Sequence, residues 1–85
     1  MAIEGVLSSR GRVRILRILV ENGELNISEI ARRAGLNYAT TKGHLNVLEE
    51  AGIIQQRRFG RIRLYKLNEE NPKAAMLKKL IENWE

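Results

Sequence analysis

The chain has 85 residues, 44% hydrophobic and 29% charged, with a formal net charge of +5. That length allows one domain with one modest core, and the hydrophobic content is enough for it to fold. Cysteine is absent, which excludes disulfides, thiolate metal sites, a cysteine nucleophile and thiol redox sensing, and no apolar run reaches the roughly 18 residues needed to span a bilayer.

Met1–Leu7 is too short and too acidic for a signal peptide, so the expected place is the cytoplasm. Ser8 and Ser9 are N-cap candidates for a first helix, whose inner residues are expected at Val13, Leu16, Leu19 and Val20. Asn22-Gly23 ends it, and Leu25 is expected as a strand of one or two residues. Asn26 and Glu29 are spaced as a capping box at the head of a second helix, with Ile30, Ala31 and Ala34 inward and Gly35 as its stop. Asn37 caps a third helix that runs to about Ala51, with Leu45 and Leu48 inward and Gly52 as its stop.

Beyond Gly52 the composition shifts to strand formers. Ile53–Phe59 and Arg61–Asn68 predict a β-hairpin with its turn at Phe59-Gly60. Asn71-Pro72 then predicts an N-cap with proline at the first helical position. The helix it opens carries Met76, Leu77, Leu80, Ile81 and Trp84 as a stripe two residues wide. The aromatic residues are only Tyr38, Phe59, Tyr65 and Trp84. Leu, Ile and Val must therefore supply most of the burial, with a partner chain as a further source.

Charge is unevenly spread. Residues 53–67 carry Arg57, Arg58, Arg61, Arg63 and Lys66 and no acidic residue, so this hairpin alone accounts for the whole excess of +5. A one-sign hairpin beside a helix-turn-helix points to phosphate, while a charged edge that resists strand pairing is the plainer alternative.

Ala31, Gly35 four residues on and Thr41 six after that have the pattern of a DNA-binding helix-turn-helix: a small residue where two helices cross, a glycine in the turn, a β-branched residue behind the third helix. Together with the run from Gly35 to Ile53 and the later Gly60…Tyr65-Lys66-Leu67, they make residues 10–68 resemble the winged helix-turn-helix transcription regulators of the ArsR and MarR type. The resemblance implies an α+β, mostly helical fold: a winged helix-turn-helix of three helices and a β-hairpin wing, within a single domain 1–85. To this the sequence adds a C-terminal helix over 71–85 as a dimer seam of Met76, Leu77, Leu80, Ile81 and Trp84. Capping of the domain's own core is the alternative use of that stripe.

By the same resemblance the third helix enters the major groove and the hairpin lies along the backbone or minor groove. The family's reading positions fall on Asn37, Tyr38, Ala39, Thr40, Lys42, Gly43 and Asn46. They lie opposite the Leu45 and Leu48 face, and Lys42 and Asn46, one turn apart, suit guanine and adenine edges respectively. His44, the only histidine, is taken as a packed or phosphate-contacting side chain; it has no partner ligand for a metal and no nucleophile for a triad. Arg57, Arg58, Arg61 and Arg63 complete the expected DNA-binding set. Gly43 departs from the arginine of many relatives, and Thr41 from their Val or Ile.

The expected function is therefore a sequence-specific regulator of transcription, a repressor more readily than an activator. It is expected to bind double-stranded DNA as a homodimer, with two third helices in major grooves about 10 base pairs apart. No enzymatic role, cofactor, metal or membrane is expected, and no polar cluster names a small-molecule effector. Two alternatives stand beside it. One is an architectural DNA binder of low specificity, favoured by Gly43. The other is a protein-interaction winged helix, disfavoured by the basic wing.

Overall fold

The structure, a computed structural model, describes residues 3–84. Met1, Ala2 and Glu85, the outermost residues of the expected domain 1–85 and helix 71–85, lie outside the described residues. In chain order the elements are α1 (Ile3–Leu7), α2 (Arg10–Asn22), α3 (Ile27–Ala34), α4 (Tyr38–Glu50), β1 (Ile54–Phe59), β2 (Ile62–Leu67) and α5 (Pro72–Glu82). This is the mostly helical α+β fold the sequence predicts, with α1 in addition.

From α2 onward every helix starts at its predicted cap. Ser9 Oγ accepts from the Arg12 N–H at 3.3 Å, Asn26 Oδ1 from Glu29 at 2.9 Å, Asn37 Oδ1 from Thr40 at 2.7 Å and Asn71 Oδ1 from Lys73 at 2.9 Å. Each satisfies one donor that the helix leaves orphaned, worth about 1 kcal/mol. The capping box at Asn26 is half made, because Glu29 turns its carboxylate forward to Arg32 and Arg33 rather than back to Asn26. Gly35 ends α3 in the left-handed region at φ 69°, where a side chain would strain the backbone.

Helix α2 is the hub. It packs against α1, α3, α4, β2 and α5, so its apolar face must be wide. Ile15, Leu16, Ile18 and Leu19 are all buried, while Val13, expected inside, is 38% exposed. A single helical stripe predicts Val13 inward; contact on several sides turns the centre of the face toward Ile15 and Ile18. Around it close Val6, Ile30, Ala34, Leu45, Leu48, Ile53, Ile54, Tyr65, Leu67, Ala74 and Leu77.

The strands form one antiparallel pair in which Phe59 faces Ile62. The loop is therefore Gly60-Arg61, one residue later than expected, with Gly60 at φ 64°. Leu25 forms the predicted short strand. Its N–H donates to the Tyr65 carbonyl at 3.2 Å and its carbonyl accepts from the Tyr65 N–H at 2.9 Å.

The position of α2 yields a contrast. Ile15→Ala should lower the unfolding free energy by about 2–5 kcal/mol in a denaturant titration. Val13→Ala should change it by no more than about 0.5 kcal/mol. Equal losses would put the inner face of α2 where the sequence pattern first suggested.

Candidate nucleic-acid interface

Helix α4 is held from behind. Thr41, Leu45 and Leu48 are buried, and the Thr41 hydroxyl, which stands where an aliphatic side chain is more usual, donates to the Asn37 carbonyl at 2.8 Å. The hydroxyl is thereby satisfied inside the core. On the outer side Ala39, Gly43 and Asn46 form the exposed ridge, with exposed Tyr38 and Thr40 at its N-terminal end. A Cβ on Gly43 would meet nothing within 4 Å, so the fold itself does not require glycine there.

Two expected reading residues are otherwise engaged. Asn37 uses its side-chain oxygen as the cap of α4. Lys42 is half-buried and turns to the wing, its Nζ donating to Tyr65 Oη at 3.2 Å and standing 5.9 Å from the centroid of the same ring. What α4 presents freely is thus Tyr38, Ala39, Thr40, Gly43 and Asn46.

The register sorts the wing residues by face, since residues directly opposite share a side and successive rungs alternate. Ile54/Leu67, Gln56/Tyr65 and Arg58/Arg63 share one face. This face looks at α4: Gln56 donates to both Glu49 carboxylate oxygens at 3.0 and 3.1 Å, and Tyr65 meets Lys42. Arg58 and Arg63 extend it beyond the body of the domain. Two like charges directly opposite each other weaken a sheet, and no ion pair neutralises either among the described residues.

Arg57 lies on the other face with Leu64. It forms a two-pronged ion pair with Glu24, Nε and Nη2 donating to the carboxylate at 2.9 and 2.8 Å. The Arg57 hydrogen bonds hold the Glu24 carboxyl below its ordinary pKa. Arg57 was expected among the DNA contacts; here it braces the wing against the segment before α3. Arg61 sits exposed in the loop itself.

His44 lies half-buried where α4 meets α2. A Cβ on Gly11 would come within 2.6 Å of its Nε2, so Gly11 makes room for the ring. Burial, and then the Arg12 charge, push the His44 pKa below 6.5. Arg12 Nε is buried nearby without a hydrogen-bond partner among the described residues. His44 is accordingly a packed neutral imidazole on the flank of α4. Arg14, on the exposed side of α2, closes the C-terminal end of α3, its Nη1 donating to the Ala34 carbonyl at 2.8 Å.

The stripe on α5 divides in two. Leu77 is buried and Ile81 half-buried in the protomer's own core, while Met76, Leu80 and Trp84 are 70%, 49% and 68% exposed. Helix α1, an element beyond those the sequence predicts, adds exposed Ile3 and Leu7. Ile3, Val6, Ile53, Met76, Leu77 and Leu80 line a groove of about 450 Å³ on this side. Five residues are too few for helical periodicity to register, so no signal in the sequence marked α1.

Residues 12–55 match the family described as winged helix-turn-helix DNA-binding. The cadmium resistance transcriptional regulatory protein CadC of Listeria innocua is 33% identical over 60 residues, covering 71% of this chain and 50% of that one. The chain spans about half the length of such curated relatives. Among solved structures, the transcriptional repressor BigR of Xylella fastidiosa is 31% identical with a TM-score of 0.74, covering 91% of this chain and 76% of that one. The homodimeric winged helix-turn-helix DNA-binding domain Mb0332 of Mycobacterium bovis, a possible ArsR-family regulator, is 28% identical with a TM-score of 0.77, covering 94% and 71%.

Two measurements follow from the ionic contacts. Because the folded pKa of His44 is depressed, the unfolded chain takes up the proton first. Stability is then full above pH 6.5 and falls as pH drops through the folded value. Urea midpoints between about pH 7.5 and about pH 5 should fall more steeply for the wild type than for His44→Gln; parallel curves would remove His44 from the account. Glu24→Gln should free Arg57, and if the wing lies on a duplex the slope of log K against log salt should steepen by up to about 1.

Proposed function

The chain belongs to the winged helix-turn-helix DNA-binding family, and we propose that it is a sequence-specific regulator of transcription, a repressor acting in the cytoplasm as a two-fold homodimer on double-stranded DNA. One observation carries this most directly. Arg58 and Arg63, opposed and unneutralised among the described residues, stand on the face of the wing that meets α4 through Gln56 and Tyr65, while Ala39, Gly43 and Asn46 are exposed on α4 itself. A polyanion laid along that side relieves their repulsion and meets the outer face of α4 in the same step. Arg58, Arg61 and Arg63 then hold phosphate, which positions the protein, and Tyr38, Thr40 and Asn46 meet base edges, which specify the site. Lys42 reads bases only if it leaves Tyr65; in place it fixes the wing at its distance from α4.

The dimer seam is α1 together with α5. Ile3, Leu7, Met76, Leu80 and Trp84 leave an apolar surface that a second copy would cover. The homodimeric Mycobacterium bovis domain supports this arrangement. The metal in the name of the Listeria innocua relative is not carried over, since these 85 residues hold no cysteine and one histidine. Among the described residues no group of three or more His, Asp or Glu side chains could hold an ion.

A second function, low-specificity architectural binding, is favoured by one observation: the ridge of α4 carries few long side chains. Selection of bound duplexes from a random pool separates the two. A regulator should enrich one palindromic site with half-sites about 10 base pairs apart. Tyr38→Ala and Asn46→Ala should each cost about 1–3 kcal/mol at that site and less on random DNA. A pool without enrichment would leave only the architectural function. Leu80→Glu with Trp84→Glu should convert a dimer at micromolar concentration into a monomer by light scattering; a monomeric wild type would end the dimer proposal.

A further inference from the structure

Helix α4 has a flank on each side of its exposed ridge. At about 100° per residue, Ala39, Gly43 and Asn46 gather on one line, with Lys42 and Glu49 to one side of it and His44 to the other. The contacts agree with that projection. Lys42 and Glu49 meet Tyr65 and Gln56 of the wing. His44 meets α2 instead, where its Nε2 would lie 2.6 Å from a Cβ on Gly11. The wing therefore holds one flank of α4 and the first turn of α2 the other.

What α2 brings to that flank is Arg12, which is half-buried. After burial, the Arg12 charge is the other cause of the lowered His44 pKa, so the guanidinium lies near the ring. Its Nε is buried with no hydrogen-bond partner, and no ion pair includes Arg12 among the described residues. Other arginines of the domain are engaged: Arg14 on the Ala34 carbonyl, Arg57 on Glu24. A charged donor taken partly out of water with no partner is costly, and an anion at the guanidinium removes that cost.

We propose that Arg12 contacts phosphate on the strand opposite the one held by Arg58 and Arg63, so that α4 is gripped from both walls of the major groove. The groove is about 12 Å wide, and a helix with its side chains is about 10–12 Å across. A helix lying in it has one backbone along each flank. Cations on the wing side alone would pull α4 toward one wall. With Arg12 on the far flank the pulls balance, and the ridge of Ala39, Gly43 and Asn46 faces the base edges between them. Arg12 is thus a positioning residue: a phosphate contact carries no sequence information itself, but it sets which side chains of α4 reach the bases. The inference rests on the placement of α4 in a groove, and its test separates the two claims.

The probe is a duplex drawn from the random-pool selection, made as a series in which one phosphate at a time, on either strand, is replaced by a neutral methylphosphonate. The wild type should lose about tenfold in affinity at two sets of positions, on opposite strands of each half-site. Arg58→Gln should abolish the sensitivity on one strand and Arg12→Gln that on the other. Each should also flatten the slope of log K against log salt by about 1 per protomer. Arg12→Lys keeps the charge and should keep the pattern, and circular dichroism checks that every variant folds. A role confined to packing beside His44 would weaken Arg12→Gln alike on every duplex and leave its strand pattern intact. Sensitivity that survives Arg12→Gln, that is lost equally in Arg12→Lys, or that falls on the same strand as the Arg58 set overturns the second grip. A wild type that binds no duplex, or shows no sensitive phosphate on either strand, overturns the placement of α4 in a groove together with it.

Discussion

The geometry of the interface depends on Tyr65. Its backbone pairs with Gln56 on one side and bridges Leu25 on the other, its ring is 1% exposed, and its hydroxyl accepts from Lys42 on α4. One residue thus ties the hairpin to the α2–α3 connection and to α4. A two-stranded hairpin is marginal on its own, so without this anchor the wing would be a loose ribbon whose arginines had no fixed relation to α4. Buried Leu67 and Ile54 secure the base of the hairpin in the same core. Rigidity at the base and freedom at the tip come from one change along β2, from Leu67 and Tyr65 inside to Arg63 and Ile62 outside.

Electrostatics refines that placement. The wing accounts for the whole positive excess of the chain, yet its charges are not equivalent. Arg57 is held by Glu24 and acts as a brace, and Lys66 lies close enough to lower the Glu24 pKa further. Arg58 and Arg63 oppose each other at the free end. Surface ion pairs contribute little to stability, so the Glu24–Arg57 pair is better understood as setting the direction of the hairpin than as holding the domain together. Leaving Arg58 and Arg63 unneutralised costs the isolated fold some stability, which is the cost the proposed phosphate contacts would offset.

What the sequence made legible was local chemistry at fixed offsets. The caps at Ser9, Asn26, Asn37 and Asn71, the stop at Gly35 and the short strand at Leu25 each follow from a backbone requirement that a few residues meet. The buried face of Thr41, Leu45 and Leu48, and with it the outward ridge of α4, followed from the helical period. What stayed hidden depends on several elements at once. The face of α2 is set by five neighbours. The engagement of Lys42 and Arg57 depends on partners 23 and 33 residues away. The division of the α5 stripe, with Leu77 inward and Met76, Leu80 and Trp84 outward, depends on where β2 delivers the chain. The candidate site was legible as a list of residues on α4 and the hairpin, but not in which of them stand free.

The free ones carry a consequence for how this helix can discriminate. Ala39 and Gly43, one turn apart on the outer ridge, let the backbone of α4 lie nearer a groove floor than long side chains would allow, at a cost of about 1 kcal/mol for glycine against alanine. Nothing among the described residues accounts for Gly43. If α4 enters a groove as proposed, a low ridge leaves hydrogen-bonded readout to Tyr38 and Thr40 at one end and Asn46 at the other, fewer contacts than a helix lined with arginine would make. Each good base contact is worth about 1–3 kcal/mol, so two or three on each copy of the proposed dimer are enough to separate one site from random duplex only if spacing and shape contribute as well. In the proposed dimer, spacing is fixed by whatever joins the two copies. In the proposed complex, the wing is the part of the chain left to meet the shape of the duplex.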